Sequence, residues 1–474
     1  MTVTSPPIDQ RTIAMQENLA AQIQAELGQN VFLCYQCLKC SNGCPLSNFF
    51  DRQPHQIMRL LQLGEDQSAL QAQTPWLCAS CQTCSTRCPQ GLDVAGIMAY
   101  LTRQARARGL KPKVPQVDAV NRAFLNGIRL WGRIYEIGLM AEVKLRTGQL
   151  RHDMDLGLRM LRKGKLALLP EWARPPRRPR PVAAPRQTLG YYPGCSLHST
   201  AVEYDLSTQA VCRALGLRLY EPPGWLCCGS TPIHRSQPRE ALRLPLENLR
   251  LVAESGLEEV VMPCAACFNH HKMALYEMRE HPERLRALPD APALEMARSV
   301  RVRSLVEAIF EHVGTESLRA QVRRPLQGLR LVCYYGCLLT RPPEVTEAPH
   351  PENPTQMEAL LEAAGAEVRD WSYKTFCCGA THSLTRPDIV LDLSRTLIEQ
   401  ARRAGAEAIA VACPLCHANL DARQFQMKLE KPLPVLYFTQ LLGLALGLSA
   451  HQLGLEKNLV DVRPLLGEKG LLPS

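Results

Sequence analysis

The period of the apolar positions changes along this chain. Ile57, Leu60 and Leu61 fall at helical spacing, with Pro54 in the first turn and Gly64 just past the end. Residues 101–169 keep a helical pattern rich in leucine and arginine. Beyond residue 188 the texture alternates. Short apolar runs end in cysteine over residues 189–195, 259–264, 329–337 and 408–413, and helical stretches such as 201–215 and 389–404 lie between them. Alternating strand and helix predicts α/β units with parallel sheet. The cysteines then stand at strand ends, where open α/β sheets build their sites.

The later part also repeats itself. Tyr191-Tyr192-Pro193-Gly194-Cys195 matches Tyr334-Tyr335-Gly336-Cys337, and Cys227-Cys228-Gly229 matches Cys377-Cys378-Gly379. Pro263-Cys264-Ala265-Ala266-Cys267 matches Cys413-Pro414-Leu415-Cys416. A period of about 145 residues is a domain duplication rather than a solenoid. Between the two textures, residues 170–186 hold six prolines and five arginines, which predicts an extended linker.

Composition narrows the class. The chain has 474 residues, 46% of them hydrophobic, enough for several domains with real cores. Its 20 cysteines are too dilute for a small disulfide-stapled scaffold and too many for an ordinary cytosolic enzyme. Residues 1–7 show no basic or apolar leader pattern. The most apolar stretch, 435–448, is interrupted by Thr439, Gln440, Gly443 and Gly447 and is too short to span a bilayer. The expectation is a soluble cytoplasmic protein whose cysteines bind metal, peripheral to a membrane only through a partner. Part of the net charge of +10 sits in residues 174–180. That run is proline-rich and lacks interleaved aromatics, so it reads as a solubilising linker rather than a nucleic-acid site.

Eight cysteines carry the first chemical signal. Cys34, Cys37, Cys40 and Cys44 form C-x2-C-x2-C-x3-C followed by Pro45, and Cys78, Cys81, Cys84 and Cys88 repeat it before Pro89. This is the bacterial two-cluster ferredoxin run, in which three close thiolates cap one cubane and the fourth reaches the other. One [4Fe–4S] cluster is therefore assigned to Cys34, Cys37, Cys40 and Cys88, the second to Cys78, Cys81, Cys84 and Cys44. Paired zinc sites are the competing reading, but zinc usually takes two ligand pairs separated by a longer insert.

Ten more cysteines form two sets of five: Cys195, Cys227, Cys228, Cys264 and Cys267, then Cys337, Cys377, Cys378, Cys413 and Cys416. Five thiolates exceed what one zinc ion or one cubane needs, and adjacent cysteines make a strained disulfide. A cluster with a bridging thiolate would use all five. A four-cysteine site with a spare thiol is the plainer alternative. Cys212 and Cys333 lie outside both sets and are expected in the core.

These segments resemble heterodisulfide reductase. The five-cysteine repeats look like the CCG domains of its B-type subunit, and the N-terminal part looks like its C-type, ferredoxin-like subunit. The resemblance is carried by Cys34-Tyr35-Gln36-Cys37, Gln62-Leu63-Gly64 and residues 191–205, 226–230, 372–386 and 411–420. It implies a multidomain fusion. Residues 1–169 would be an α-helical ferredoxin-like domain, 170–187 the joint, 188–325 the first CCG α/β repeat and 326–474 the second. It further implies two noncubane [4Fe–4S] clusters, each held by the five cysteines of one repeat. A disulfide of two thiol coenzymes would be reduced or formed between them, one electron from each cluster.

Residues near the motifs extend that picture. His198, His234, His271, His382 and Lys272 are candidates to supply protons or positive charge to departing thiolates. Neither a G-x-G-x-x-G fingerprint nor a P-loop is present, so no flavin or nucleotide is expected in this chain. The resemblance then implies a flavoprotein electron donor like the family's A-type subunit, or a membrane cytochrome. The competing function is an electron-transfer subunit of another CCG oxidoreductase, of the glycolate oxidase or succinate dehydrogenase type.

Overall fold

The computed structural model describes residues 18–149, 153–173 and 188–472. The prolines and arginines of residues 174–187 lie outside the described residues. The chain forms two compact units, residues 1–118 and 119–474.

The first unit is built of helices and two cysteine loops. Leu19–Leu27 starts where the Asn18 side chain accepts the Ala21 amide at 2.9 Å, and it stops at Gly28, φ +70°. Pro54–Gln62 is capped by Gln53 and Gln56 and buries Ile57, Met58 and Leu61. Val94–Ala107 starts on Asp93, whose carboxylate accepts the Gly96 amide at 2.9 Å, and buries Ile97, Met98, Tyr100 and Leu101. The two cysteine loops turn alike. Gln36 and Leu38 in one, and Ser80 and Gln82 in the other, take left-handed backbone with φ of 62°, 65°, 54° and 61°. Each costs a non-glycine residue about 1–3 kcal/mol, and such strain collects at functional loops.

The second unit carries two parallel four-stranded sheets. The first holds β1 (Thr188–Tyr191), β2 (Arg218–Tyr220), β3 (Glu259–Met262) and β4 (Arg301–Ser304), in the order β2-β1-β3-β4. The second holds β5 (Arg330–Tyr334), β6 (Glu367–Val368), β7 (Ala408–Val411) and β8 (Val435–Tyr437), in the matching order β6-β5-β7-β8. The apolar runs that end in cysteine are β1, β3, β5 and β7. Their residues pack on both faces: Val260, Val261, Val332, Ile409 and Val411 are fully buried. That is the pattern of parallel strands covered by helices, worth about 1.5–3 kcal/mol per side chain.

The predicted helical stretches are Val202–Ala214 and Pro387–Arg403. The apolar stretch 435–448 is strand β8 followed by the buried helix Phe438–Ala445. No helix of the described residues is long and apolar enough to cross a membrane. Cys212 and Cys333 are buried in the core, and burial pushes the Cys212 thiol up to about 12.

The repeats pack on one another as one core. Tyr204 lies parallel to Tyr437 with ring centroids 4.0 Å apart, and its hydroxyl donates to the Ala412 carbonyl at 3.3 Å. Ser207 and Thr439 share a hydrogen bond of 2.7 Å. The helices Glu136–Thr147 and Met154–Arg162 belong to this unit, and Lys165 just beyond them meets Glu203 at 2.5 Å, both buried. Glu203 is also 3.7 Å from His417.

Breaking one partner of a buried pair leaves a bare charge in low dielectric. Glu203→Ala should therefore destabilise the second unit by about 3–5 kcal/mol. Pairing it with Lys165→Met should restore most of the loss, read as the urea midpoints of the wild type and the two variants.

Candidate iron–sulfur sites

Each sheet has its topological switch beside its first strand, since β1 is flanked by β2 and β3 and β5 by β6 and β7. The chain leaves β1 toward Cys195 and β3 toward Cys264, while Cys227 and Cys228 follow β2. The second sheet does the same with Cys337 after β5, Cys413 after β7 and Cys377-Cys378 after β6. All ten sulfurs thus come from the carboxyl-end loops, where open α/β sheets place ligands.

The sulfurs approach one another closely. Sγ of Cys228 and Cys267 are 3.6 Å apart, and those of Cys378 and Cys416 are 3.5 Å apart. A disulfide needs about 2.05 Å, and all 20 cysteines are free thiols. Crowding among buried thiols splits their acidity. In the first set, hydrogen bonds from Cys195 and Cys228 push Cys227 up, and those from Cys228 and Cys264 push Cys267 up; Cys228, bonded to Cys227 and Cys267, is pushed down. In the second set Cys416 goes up against Cys378 and Cys413, which go down.

Two devices recur in both sets. Gly194 and Gly336 take φ of +74° and +73°, and a Cβ on either would stand 2.8 Å from Sγ of Cys267 or Cys416. Three residues before the first cysteine of each set, a tyrosine reaches across to the carbonyl preceding the cysteine pair: Tyr192 to Leu226 at 2.6 Å, Tyr334 to Phe376 at 2.7 Å. The Tyr334 hydroxyl is also 3.8 Å from Sγ of Cys416. Counted back from the cysteine these tyrosines are equivalent, but only the fold shows what they hold.

Other neighbours differ between the sets. The Ile134 amide donates to Sγ of Cys195 at 3.4 Å, and the Cys227 amide to the Gly132 carbonyl at 2.8 Å. The loop after the helix Pro115–Trp131 thereby closes one side of the first set. In the second set Asn419 donates to Sγ of Cys378 at 3.5 Å and the Gly379 amide to Sγ of Cys377 at 3.4 Å. Nothing in the residue pattern marked Ile134, Gly132 or Asn419.

The predicted histidines and lysine take distinct places. His198 stands in a carboxylate clasp, 3.3 Å from Glu171 and 3.4 Å from Glu221, edge-on to Trp225. Burial lowers its pKa, but the two carboxylates outweigh that and raise it to about 9. Arg133 completes this rim, with its guanidinium 3.6 Å over Trp225 and 2.7 Å from Glu171. Glu136 accepts from Ser199 and Thr200, and burial raises its carboxyl to about 7. His234 stacks on His270 with ring centroids 3.7 Å apart, and burial lowers both. His271 spans the Cys267 carbonyl at 2.7 Å and Asn248 at 3.2 Å. Lys272 pairs with Glu347 at 2.5 Å, and buried His382 is 3.2 Å from Thr385.

In the first unit Cys44 lines one pocket with Cys78, Cys81 and Cys84. Burial pushes Cys44 and Cys84 up, with the neighbouring thiols adding to it. The Ser80 amide donates to Sγ of Cys78 at 3.4 Å, a product of the left-handed turn. Cys37 is exposed, and Tyr35 next to it feels the Cys37 and Cys88 thiols. Among the described residues no three His, Cys, Asp or Glu side chains gather around a single metal ion. The donors are sulfur throughout, and soft thiolate sets of this kind suit iron–sulfur clusters.

Known proteins agree with this chemistry. Residues 33–93 match the 4Fe-4S dicluster domain family, and residues 189–272 and 331–421 match the cysteine-rich CCG domain family. The chain is 29% identical over 285 residues to the 8-methylmenaquinol:fumarate reductase membrane anchor subunit of Wolinella succinogenes, covering 59% of this chain and 99% of that one. It is 29% identical over 284 residues to the B-type subunit of the ferredoxin:CoB-CoM heterodisulfide reductase of Methanosarcina mazei, covering 58% and 94%. A protein of Archaeoglobus profundus that is like the same B-type subunit matches at 26% over 274 residues, covering 54% and 90%. Fold and sites together define an iron–sulfur electron-transfer protein that joins a dicluster domain to two CCG domains. The matched domains and the B-type relatives support a heterodisulfide reductase-like fusion, with the dicluster domain first and the two CCG domains after it.

Two outcomes follow from this geometry. Gly194→Ala or Gly336→Ala should displace one sulfur and lower bound iron, while the dicluster signals persist; iron analysis with EPR reads both. The His198 clasp should contribute stability fully below pH about 6.5, its unfolded value, and lose it as pH rises through about 9. His198→Gln should remove that alkaline slope from a series of thermal melts.

Proposed function

We propose that this chain is the disulfide-handling subunit of an oxidoreductase complex, with its own electron relay. The observation that carries the proposal is the presence of two complete five-cysteine sets, each at the switch point of its own sheet. One disulfide becomes two thiols by taking up two electrons and two protons. When bound, a four-iron cluster at each set supplies one electron and iron for a sulfur to ligate. We further assign noncubane clusters to these sets and cubane clusters to Cys34, Cys37, Cys40 and Cys88 and to Cys78, Cys81, Cys84 and Cys44. The pocket shared by Cys44 with Cys78, Cys81 and Cys84 supports the second of these groupings.

The chain's own residues hold the sulfurs and set the charge around them. Tyr192 and Tyr334 fix the backbone before each cysteine pair. The His198 clasp brings a titratable group beside the first set, three residues after Cys195, and it can pass protons toward departing thiolates. Electrons would arrive singly through the dicluster unit from a flavoprotein donor of the family's A type or from a membrane cytochrome. The proline–arginine segment 170–187 is taken as the joint of two formerly separate subunits.

A second reading has a specific observation behind it. The match to the fumarate reductase membrane anchor subunit spans nearly the whole of that protein at the same identity as the match to the heterodisulfide reductase relative. In that reading the five-cysteine sites relay electrons between a membrane reductant and a partner protein, with no disulfide chemistry.

Anaerobic purification and EPR separate the readings. About 16 irons per chain are expected from four four-iron clusters, with new signals after oxidation in the presence of a thiol substrate. Cys227→Ser should abolish disulfide reduction and leave the dicluster signals. Retained reduction removes the first reading, and about eight irons with bound zinc removes the cluster assignment of both five-cysteine sets.

A further inference from the structure

The second unit has an apolar face that points the wrong way. In the helix Met154–Arg162, Leu156 is buried and anchors the helix to its unit. Met154, Leu158 and Leu161, at i, i+4 and i+7, share the opposite stripe and are 51%, 49% and 44% exposed. The chain then presents Leu168, Leu169 and Trp172 at 68%, 79% and 71% exposure. In the rest of the residues described from 119 to 472, the exposed large apolar side chains are Leu130, Leu145, Leu206, Met296 and Phe425. Six within nineteen residues is therefore a concentrated patch, of the kind that marks an interaction site.

Charge says which kind. Arg159 and Arg162 are exposed beside the leucine stripe, Arg159 with its guanidinium 4.6 Å over the Phe425 ring, and Lys163 follows with its amine donating to the Glu456 carbonyl at 2.5 Å. Of the two acids in the same stretch, Glu171 is taken up by Arg133 at 2.7 Å, and Asp155 remains at the helix start. An apolar helix face edged by exposed arginine, with an exposed tryptophan beyond it, matches a helix lying in a lipid interface. There the apolar face enters the acyl boundary and long cationic side chains reach the headgroups. Basic flanks add attraction to anionic lipid.

We propose that the helix Met154–Arg162 and the segment through Trp172 form a docking surface for an anionic phospholipid bilayer. The attachment is peripheral, with the helix in the plane of the surface, and it does not depend on which electron-transfer reading holds.

Co-flotation of the full-length, iron-loaded protein with vesicles tests this. The vesicles are three parts phosphatidylcholine to one part phosphatidylglycerol, or phosphatidylcholine alone. The wild type is expected to float with the anionic vesicles at low salt and less so at high salt or without phosphatidylglycerol. Leu158→Glu combined with Leu161→Glu should cut the bound fraction roughly tenfold or more, with melting temperature and iron content unchanged. Arg159→Gln combined with Arg162→Gln should remove the preference for phosphatidylglycerol while keeping the stable fold. The proposal is overturned if the wild type stays unbound on anionic vesicles, or if the leucine variant floats like the wild type. A wild-type dimer that the leucine variant converts to monomer, with no flotation of either, would also overturn it and assign the face to a second copy.

Discussion

Ten thiols gathered at the carboxyl ends of two parallel sheets are the constraint on which the second unit is built. A buried thiolate is costly, and sulfurs as close as 3.5–3.6 Å would repel each other if both were ionised. The cysteines answer by dividing into thiols pushed up and thiols pushed down. These cysteines would hold an iron–sulfur cluster whose positive charge offsets that repulsion, which would couple loading to the final order of the loops. The surrounding devices follow from this crowding. A glycine stands where any side chain would strike a sulfur, and a tyrosine hydroxyl ties down the carbonyl before each cysteine pair.

Duplication made the two sites alike, and later divergence made them unequal. Both share strand order, glycine and tyrosine. The first is closed by Gly132 and Ile134 and lies near His270 and His271, while the second is touched by Asn419 and its own Gly379 amide. Two cysteine sites in unequal settings would suit a substrate with two different halves, and would equally suit a relay with a preferred direction. The relatives divide along the same line, one belonging to a heterodisulfide reductase and the other being the membrane anchor of a fumarate reductase.

Much of this was legible in the linear chain. The eight-cysteine run with its two prolines, the two sets of five, the duplication and the strand–helix alternation all rest on local spacing, which survives translation into structure because strands and tight loops are short. The apolar runs became β1, β3, β5 and β7 for the same reason. The edge strands β2 and β6 are only three and two residues long and carry no pattern of their own. They exist because β1 and β5 offer them an edge.

What tertiary structure alone decided is which distant groups meet. The clasp of Glu171 and Glu221 on His198 and the buried Lys165–Glu203 pair join residues far apart in the chain. Their contacts are fixed by packing, which no spacing encodes. The sequence by itself determined that this protein holds iron through cysteine and that its cysteine-rich domain was doubled. The fold decided that those cysteines converge at two switch points, and that one helix keeps a second apolar face turned outward, because only a packed core shows which leucines it has left uncovered.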